Sequence, residues 1–439
     1  MFTMSRLGFL PLTVFLWYSW VQTLGAFPLQ IRQNKSEYPG SVDNGTYGPA
    51  LQTEFLFHKQ MPTGVTVSQK GRIFVNYPYW SDDIVFTVAE LKDGKEVPFP
   101  NSVVNWKVGP SSWNQSNQAE YFVSVQSVVI DPHDNLWILD TGRPVVNGTM
   151  LDATYGGPKL VCVDLKNDTI IKTIVFPMND TIFPKSYLND VRFDLRILTE
   201  GVAYITDSSD EGYTGIVVVD LDSGESWRRL HMHSSTRPTP RFVLSVAGLP
   251  IRLQPEPSEP PGYITTGSDG ITLSADGLRL FYCPLASRRL FSVDARIMAA
   301  PNANDNDTIL TVTAHGEKGG TSDGLESDDQ GNIYISNQDQ NAIFRGRYQN
   351  NTLIIEPFVR DPRIQWADTL SVGFDHRLYF TSNQLHLQAK YWGGRDLRKP
   401  PYALYSVPLE HNVGRVNLTC VSTGLVECSG SMRQRQCRC

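Results

Sequence analysis

Six times along this chain an apolar strand runs into a tight turn rich in Asp, Gly or Asn and leaves it as a second apolar strand. The repetition predicts an all-β fold, a six-bladed β-propeller. Two further observations agree. An aromatic residue sits mid-strand after each turn, at Phe74, Trp137, Tyr204, Phe281, Tyr334 and Tyr379. The intervals between them, 45 to 77 residues, leave room for a four-stranded sheet and its loops. Long helical patterns are scarce, and Pro-rich inserts such as QPEPSEPPGY (254–263) read as surface loops. A pair of β-sandwiches is the competing fold, because it also uses short alternating strands; the sixfold recurrence favours the propeller.

The units follow in order. Gly64-Val65-Thr66-Val67 passes through QKG into RIFVNYP. Ser127 to Asp131 passes through PHD into NLWILDTG. Asn189 to Asp194 leads to GVAYITDSS. Asp269 to Ser274 passes through ADG into LRLFYCP, Asp323 to Asp328 through DQG into NIYISNQ, and Asp368 to Phe374 through DH into RLYFTSN. These turn residues tolerate positive φ and so permit tight hairpins. Each blade has apolar residues on both faces and cannot bury them alone, so residues 51–408 are expected to form one domain.

An ordinary balance of 41% hydrophobic and 19% charged residues suits a large core. The formal charge of −6 leaves no basic excess, so nucleic acid is not an expected partner. Residues 1–26 read as a secretory signal peptide: Arg6 precedes a long apolar run, and Leu24-Gly25-Ala26 offers a cleavage point before Phe27. An uncleaved signal anchor is the alternative. No later stretch is long and apolar enough to cross a bilayer, so no membrane contact is expected after cleavage. Residues 27–50 form an N-terminal extension. Sequons at Asn34, Asn44, Asn114, Asn147, Asn167, Asn179, Asn306, Asn350 and Asn417 agree with a secreted, extracellular glycoprotein. Six cysteines allow up to three disulfides in that setting. Cys162 and Cys283 lie in strand-like runs, where buried free thiols are as good a reading as a bridge. Cys420, Cys428, Cys437 and Cys439 crowd a tail at 409–439.

Several stretches carry a family resemblance: MPTGVTVSQKGRIFVNYP (61–78), NLWILDTGR (135–143), GGPKLVCVDL (156–165), YITDSSDEGYTGIVVVDL (204–221), SDGITLSADGLRLFYCPLASRRLFSV (268–293) and RKPPYALYSV (398–407). Together they resemble the major royal jelly protein/yellow family, and the resemblance implies a secreted six-bladed propeller. The short loops, without a long insect-type C-terminal region, are more similar to microbial members. The Cys- and Arg-containing tail departs from the family; a disulfide-tied tail and a misplaced coding boundary both account for it.

In a propeller the innermost strands line a central channel, and residues at their beginnings face one mouth. Here those positions are Thr63, Ser127, Asn189, Asp190, Asp269, Asp323 and Asp368, and the ends of the second strands add Asp140, Thr141, Asp207, Asn337 and Asn383. Any one of these can merely cap a turn, but every unit carries such a residue. Two chemistries suit the ring. A hard cation such as Ca²⁺ needs several oxygens about one point. Related gluconolactonase-type propellers imply Asn189, Asp269 and Asp323 as ligands, although Met61-Pro62-Thr63-Gly64 lacks the glutamate those propellers supply. Alternatively the carboxylates pair with an amine or hydroxyls while aromatic residues stack on a ring.

Three functions follow. The first is binding of a small aromatic or polyhydroxylated metabolite in the channel mouth. The second, which the family resemblance implies, is an isomerase or tautomerase of the dopachrome-converting sort, or a tailoring step on a secreted metabolite, with Asp269, Asp323 or Asp368 moving protons. The third is a divalent-metal-dependent lactonase. His231 and His233 read as a solvated pair on one strand face, and NANDNDT (302–308) as a surface turn without the glycine and glutamate of an EF-hand. There is no G-x-S-x-G, H-E-x-x-H or Gly-rich nucleotide loop, so serine hydrolase, zinc protease and nucleotide enzyme lack support.

Overall fold

The computed structural model describes residues 45–80, 83–105, 115–350 and 352–419. The leader, the sequons at Asn34, Asn44 and Asn114, and the four cysteines from Cys420 onward lie outside the described residues.

Six four-stranded antiparallel sheets make six blades. Blades 1 to 5 span 64–98, 125–175, 188–229, 268–317 and 325–360. Blade 6 takes three strands from 366–408 and its fourth from the other end of the chain: Gln52–Phe57 pairs with Tyr402–Pro408, from Gln52 opposite Ser406 to Phe57 opposite Tyr402. The first strands Gly64–Val67, Val125–Ile130, Leu188–Asp194, Ser268–Leu273, Leu325–Ser327 and Trp366–Val372 each pack against the first strands of both neighbouring blades, which closes a ring. Almost every residue in them is buried.

The recurrent aromatic bonds to an aspartate in half of the blades, and in blade 3 Tyr204 Oη donates instead to Ala295 O at 2.8 Å. Trp137 Nε1 donates to Asp131 at 2.8 Å, Tyr334 Oη to Asp328 at 2.9 Å and Tyr379 Oη to Asp375 at 2.6 Å. In each case the acceptor stands in the turn that precedes the aromatic strand. The turn aspartate therefore fixes its own backbone and the next strand together. His133 N and Asn135 N bond to Asp131, as Gln330 N and Asn332 N do to Asp328. Phe74 and Phe281 have no such handle and serve as packing alone.

The two channel mouths are covered differently. Past blade 6, residues 409–419 pack across the turn side rather than beginning a separate tail. Arg415 enters the channel there and donates to Ser371 Oγ at 2.5 Å, Thr66 Oγ1 at 3.2 Å, and the carbonyls of Val67 and Ile130 at 3.4 Å. Leu418 is buried in the core between blades 3 and 4, and its carbonyl accepts from Leu195 N at 2.9 Å. On the other side the inserts after blade 3 and within blade 6 bond to each other, Gln254 N to Lys390 O and Gly393 N to Gln254 O, both at 2.8 Å. Leu244, Ile251 and Ile264 of one insert and Leu385 and Tyr391 of the other share a core with Met61 and Trp366.

Cys162 and Cys283 are buried free thiols in blades 2 and 4, so the bridge reading fails for them. His231 and His233 lie in the turn beyond Arg229, not on a strand, and are held separately: Arg228 Nε donates to His231 Nδ1 at 2.9 Å, and His233 Nδ1 meets Ser235 Oγ at 2.8 Å. NANDNDT forms a one-turn helix, Asp305–Ile309, capped by Asn304.

Phe57 carries the ring closure, being fully buried against Tyr77 and Phe55. Phe57→Ala is expected to cost about 3–5 kcal/mol, read as a lower denaturant midpoint in chemical unfolding.

Candidate functional site

Four aspartates from four blades meet where the first strands begin: Asp190, Asp269, Asp323 and Asp368. All are buried, with between 4% and 8% of their surface exposed. The chain brings them there because each stands at or just before the start of its inner strand, and the ring forces those starts together.

Their surroundings separate them. Asp190 has a cation: Arg192 Nη1 donates to both its oxygens at 2.9 Å, and Ser127 Oγ donates to it at 2.8 Å. Arg192 also reaches across the channel, donating to Leu325 O at 2.7 Å and standing 3.5 Å from Glu326. The other three have no cation partner within 4.0 Å among the described residues. Asp269 and Asp323 share a hydrogen bond. Trp366 Nε1 donates to Asp323 Oδ2 at 2.5 Å, and Asn383 Nδ2 donates to Asp368 Oδ2 at 2.8 Å.

Burial pushes Asp269 well above the usual carboxylate range, reinforced by the neighbouring charge of Asp323 and then of Asp368. Burial raises Asp323 to about 6, with the Trp366 and Asp269 bonds pulling the other way. Asp368 is likewise pushed well up, by burial first and by Asp323 second. Burial and mutual charge thus favour the proton-bearing form of these carboxyls more than water would, and a carboxyl that keeps its proton can donate as well as accept a hydrogen bond.

A polar chain borders this cluster. Trp80 Nε1 donates to Tyr187 Oη at 2.8 Å, Tyr187 Oη to Gln126 Oε1 at 2.8 Å, Gln126 Nε2 to Asn189 Oδ1 at 3.2 Å, and Asn189 Nδ2 to Ser208 Oγ at 3.1 Å. Asn189 thus sits in this border. Thr63 is tied into the scaffold: its hydroxyl accepts from Asn76 at 2.9 Å and its carbonyl from Thr381 at 2.6 Å. Asp140 and Asp207 are clamps. Asp140 accepts from Val123 N, Ser124 N, Gly142 N and Lys159 Nζ, and Asp207 from Tyr187 N, Ser209 N and Arg228. Asn383 clamps the mouth through Pro62 O and Asp368. Asn337 lies beside Gly320, where a Cβ would meet its Oδ1 at 2.3 Å, and the buried Thr141 hydroxyl has no protein partner.

Asn189 Oδ1, Asp323 Oδ2 and Asp368 Oδ2 each accept from an N–H group. Among the described residues, no three His, Cys, Asp or Glu side chains form a cation cradle.

Sequence reasoning missed Arg192 and Trp366. Both were within reach of a period-two argument, since Arg192 lies two residues after Asp190 and Trp366 two before Asp368, on the same strand face.

Six blades about a carboxyl-lined channel, covered on its turn side by the chain's own continuation, define a six-bladed propeller with a ring of aspartates at one mouth. The chain belongs to the major royal jelly protein family, whose sequence profile matches residues 123–393. It is 28% identical over 343 residues to Protein yellow of Drosophila erecta and of Drosophila melanogaster, covering 74% of this chain. The aligned part spans only 56% of those relatives' length. Among solved structures, a luciferin-regenerating enzyme aligns with a TM-score of 0.49 at 10% identity, covering 85% of this chain and all of that one. A gluconolactonase from Xanthomonas campestris aligns at 0.47 and 11%, covering 82% and 89%. Those two likenesses carry no functional argument.

A carboxyl whose folded pKa lies above its unfolded value weakens the fold as pH rises from about 4 through that folded value. Asp269→Asn keeps a donor for Asp323 and removes one such group. It is expected to raise Tm at pH 8 and to lose that advantage at pH 4. Thermal unfolding at the two pH values checks it.

Proposed function

We propose that this protein is a secreted glycoprotein that binds a small aromatic or polyhydroxylated metabolite at the carboxyl-bearing mouth of its channel. One observation carries the reading: Asp269, Asp323 and Asp368 are buried together without a cation, next to Asp190, which has one. Carboxyl groups kept at such a cost mark functional sites more often than structural ones. An amine or a set of hydroxyls from a ligand would supply the missing partners. Trp80 and Tyr391 stand near enough to share the Lys390 ammonium, at 5.9 and 5.1 Å from their rings, and offer apolar surface for a ring. Secretion is supported by the leader-like residues 1–26 and by the sequons, since all six described sequon asparagines are exposed.

Dopamine, which combines a ring, two hydroxyls and an amine, is a suitable probe for isothermal titration of the secreted protein. Binding at pH 7.5 is expected to be saturable and to weaken about tenfold per pH unit below 6, where Asp323 takes up its proton. Asp323→Asn should weaken it about a hundredfold. Affinity that is absent, or flat between pH 5 and 8, would sink the proposal.

A second reading rests on the contact between Asp269 and Asp323. A carboxyl that titrates near 6 beside one that holds its proton more tightly than usual can accept a proton at one ligand atom while its neighbour returns one at another. That is the chemistry of an isomerase or tautomerase. Following an aminochrome by absorbance tests it: turnover should fall about 10²–10⁴-fold in Asp323→Asn. If the probe binds without being converted, the binding reading stands alone.

A further inference from the structure

Blades 4 and 5 do not close on each other along their whole contact. A cleft of about 880 Å³ opens between them at the turn end of their strands, within the usual range of about 300–1,000 Å³ for small-ligand sites. It is lined by the turns at 274–278 and 329–332. Asp269 and Asp323 stand at the opposite ends of the same first strands, so the cleft is separate from the channel mouth.

Its chemistry is specific. Phe281 and Ile333 form a buried apolar floor. The rings of Phe281, His315 and Tyr348 form a triangle with centroids 5.4, 6.3 and 6.5 Å apart. Tyr348 is 45% exposed, so the triangle has an open side. Arg279 projects from the second strand of blade 4. It donates to Ser292 Oγ at 3.1 Å and Thr313 Oγ1 at 3.3 Å, and no carboxylate lies within 4.0 Å of it among the described residues. A half-buried guanidinium held by hydroxyls alone retains donors for an incoming anion.

The acids around the cleft are engaged elsewhere. Asp276 accepts from Ser274 Oγ and Leu278 N, Asp329 accepts from Gly414 N, and Glu410 lies 3.7 Å from Arg345. Arg347, on the opposite wall, lies 3.7 Å from Glu356. Burial first, and Arg279 second, push His315 down to about 4, so the imidazole is neutral and adds a flat, uncharged face.

We propose that this cleft is a second ligand site, for an aromatic carboxylate. The ring would lie against Tyr348 and His315, and the carboxylate would take the fork of Arg279 in two parallel bonds. The inference is independent of the channel-mouth reading.

Titration with 4-hydroxyphenylacetate and with its methyl ester tests it, using the secreted full chain at pH 7.5. One saturable equivalent of the acid is expected, with the ester at least about tenfold weaker. Arg279→Gln and Tyr348→Ala should each weaken the acid about tenfold or more. Tyr348 is exposed, so its variant keeps the test valid if Arg279→Gln misfolds. Asp323→Asn should leave the acid's affinity unchanged. Equal binding of acid and ester, no saturable binding, or loss in Asp323→Asn with retention in Arg279→Gln would each overturn the proposal.

Discussion

A propeller blade has two apolar faces, and neither can be buried by the blade itself. Everything else in this molecule depends on closing the circle so that each face meets a neighbour. The closing contact is the pairing of Gln52–Phe57 with Tyr402–Pro408, which joins the two ends of the chain in one sheet. Because those strands belong to one blade, opening the ring requires breaking a ladder and exposing the aromatic cluster about Phe57, not merely separating two surfaces. The Arg415 contacts add a second tie on the turn side, linking three blades through one guanidinium.

Closure has an electrostatic consequence. Six strand beginnings are driven to one place, and four of them bring an aspartate out of water. The fold deals with most buried acids in the ordinary way, by a cation or several N–H donors. Asp140 has Lys159, Asp207 has Arg228 and Asp190 has Arg192. Asp269, Asp323 and Asp368 have each other, one indole N–H, one amide and the Thr369 hydroxyl, but no cation among the described residues. The contrast within one protein is what singles them out. Composition does not explain it, since the same side chain is neutralised a few ångströms away. The three carboxyls are a local conflict that the fold leaves standing, the kind of departure from self-consistency that a sequence keeps only where something offsets it.

Much of this was legible in the sequence. The turn aspartates at 131, 328 and 375 and the aromatics at 137, 334 and 379 recur together because each pair is one hydrogen bond, so the repeat in the letters is a repeat in the physics. The convergence of Asp190, Asp269, Asp323 and Asp368 was equally readable, because strand position alone places them. Less readable was which polar groups at the mouth would be spent on the scaffold. Thr63, Asp140 and Asp207 occupy equivalent places, yet their hydrogen bonds go to the scaffold. The packing of residues 409–419 under the channel was also hidden, since a single arginine in a polar stretch announces no destination.

By itself, then, the amino-acid order determined the blade count, the turn positions and the aspartates that would share a mouth. All of these follow from short-range periodicity repeated six times. Only the closed tertiary structure decided which of those aspartates would lack a cation. It also decided that Arg192 would span the channel, and that blades 4 and 5 would part around Arg279. Each of these outcomes depends on distances between residues far apart in the chain, and no local pattern encodes such distances.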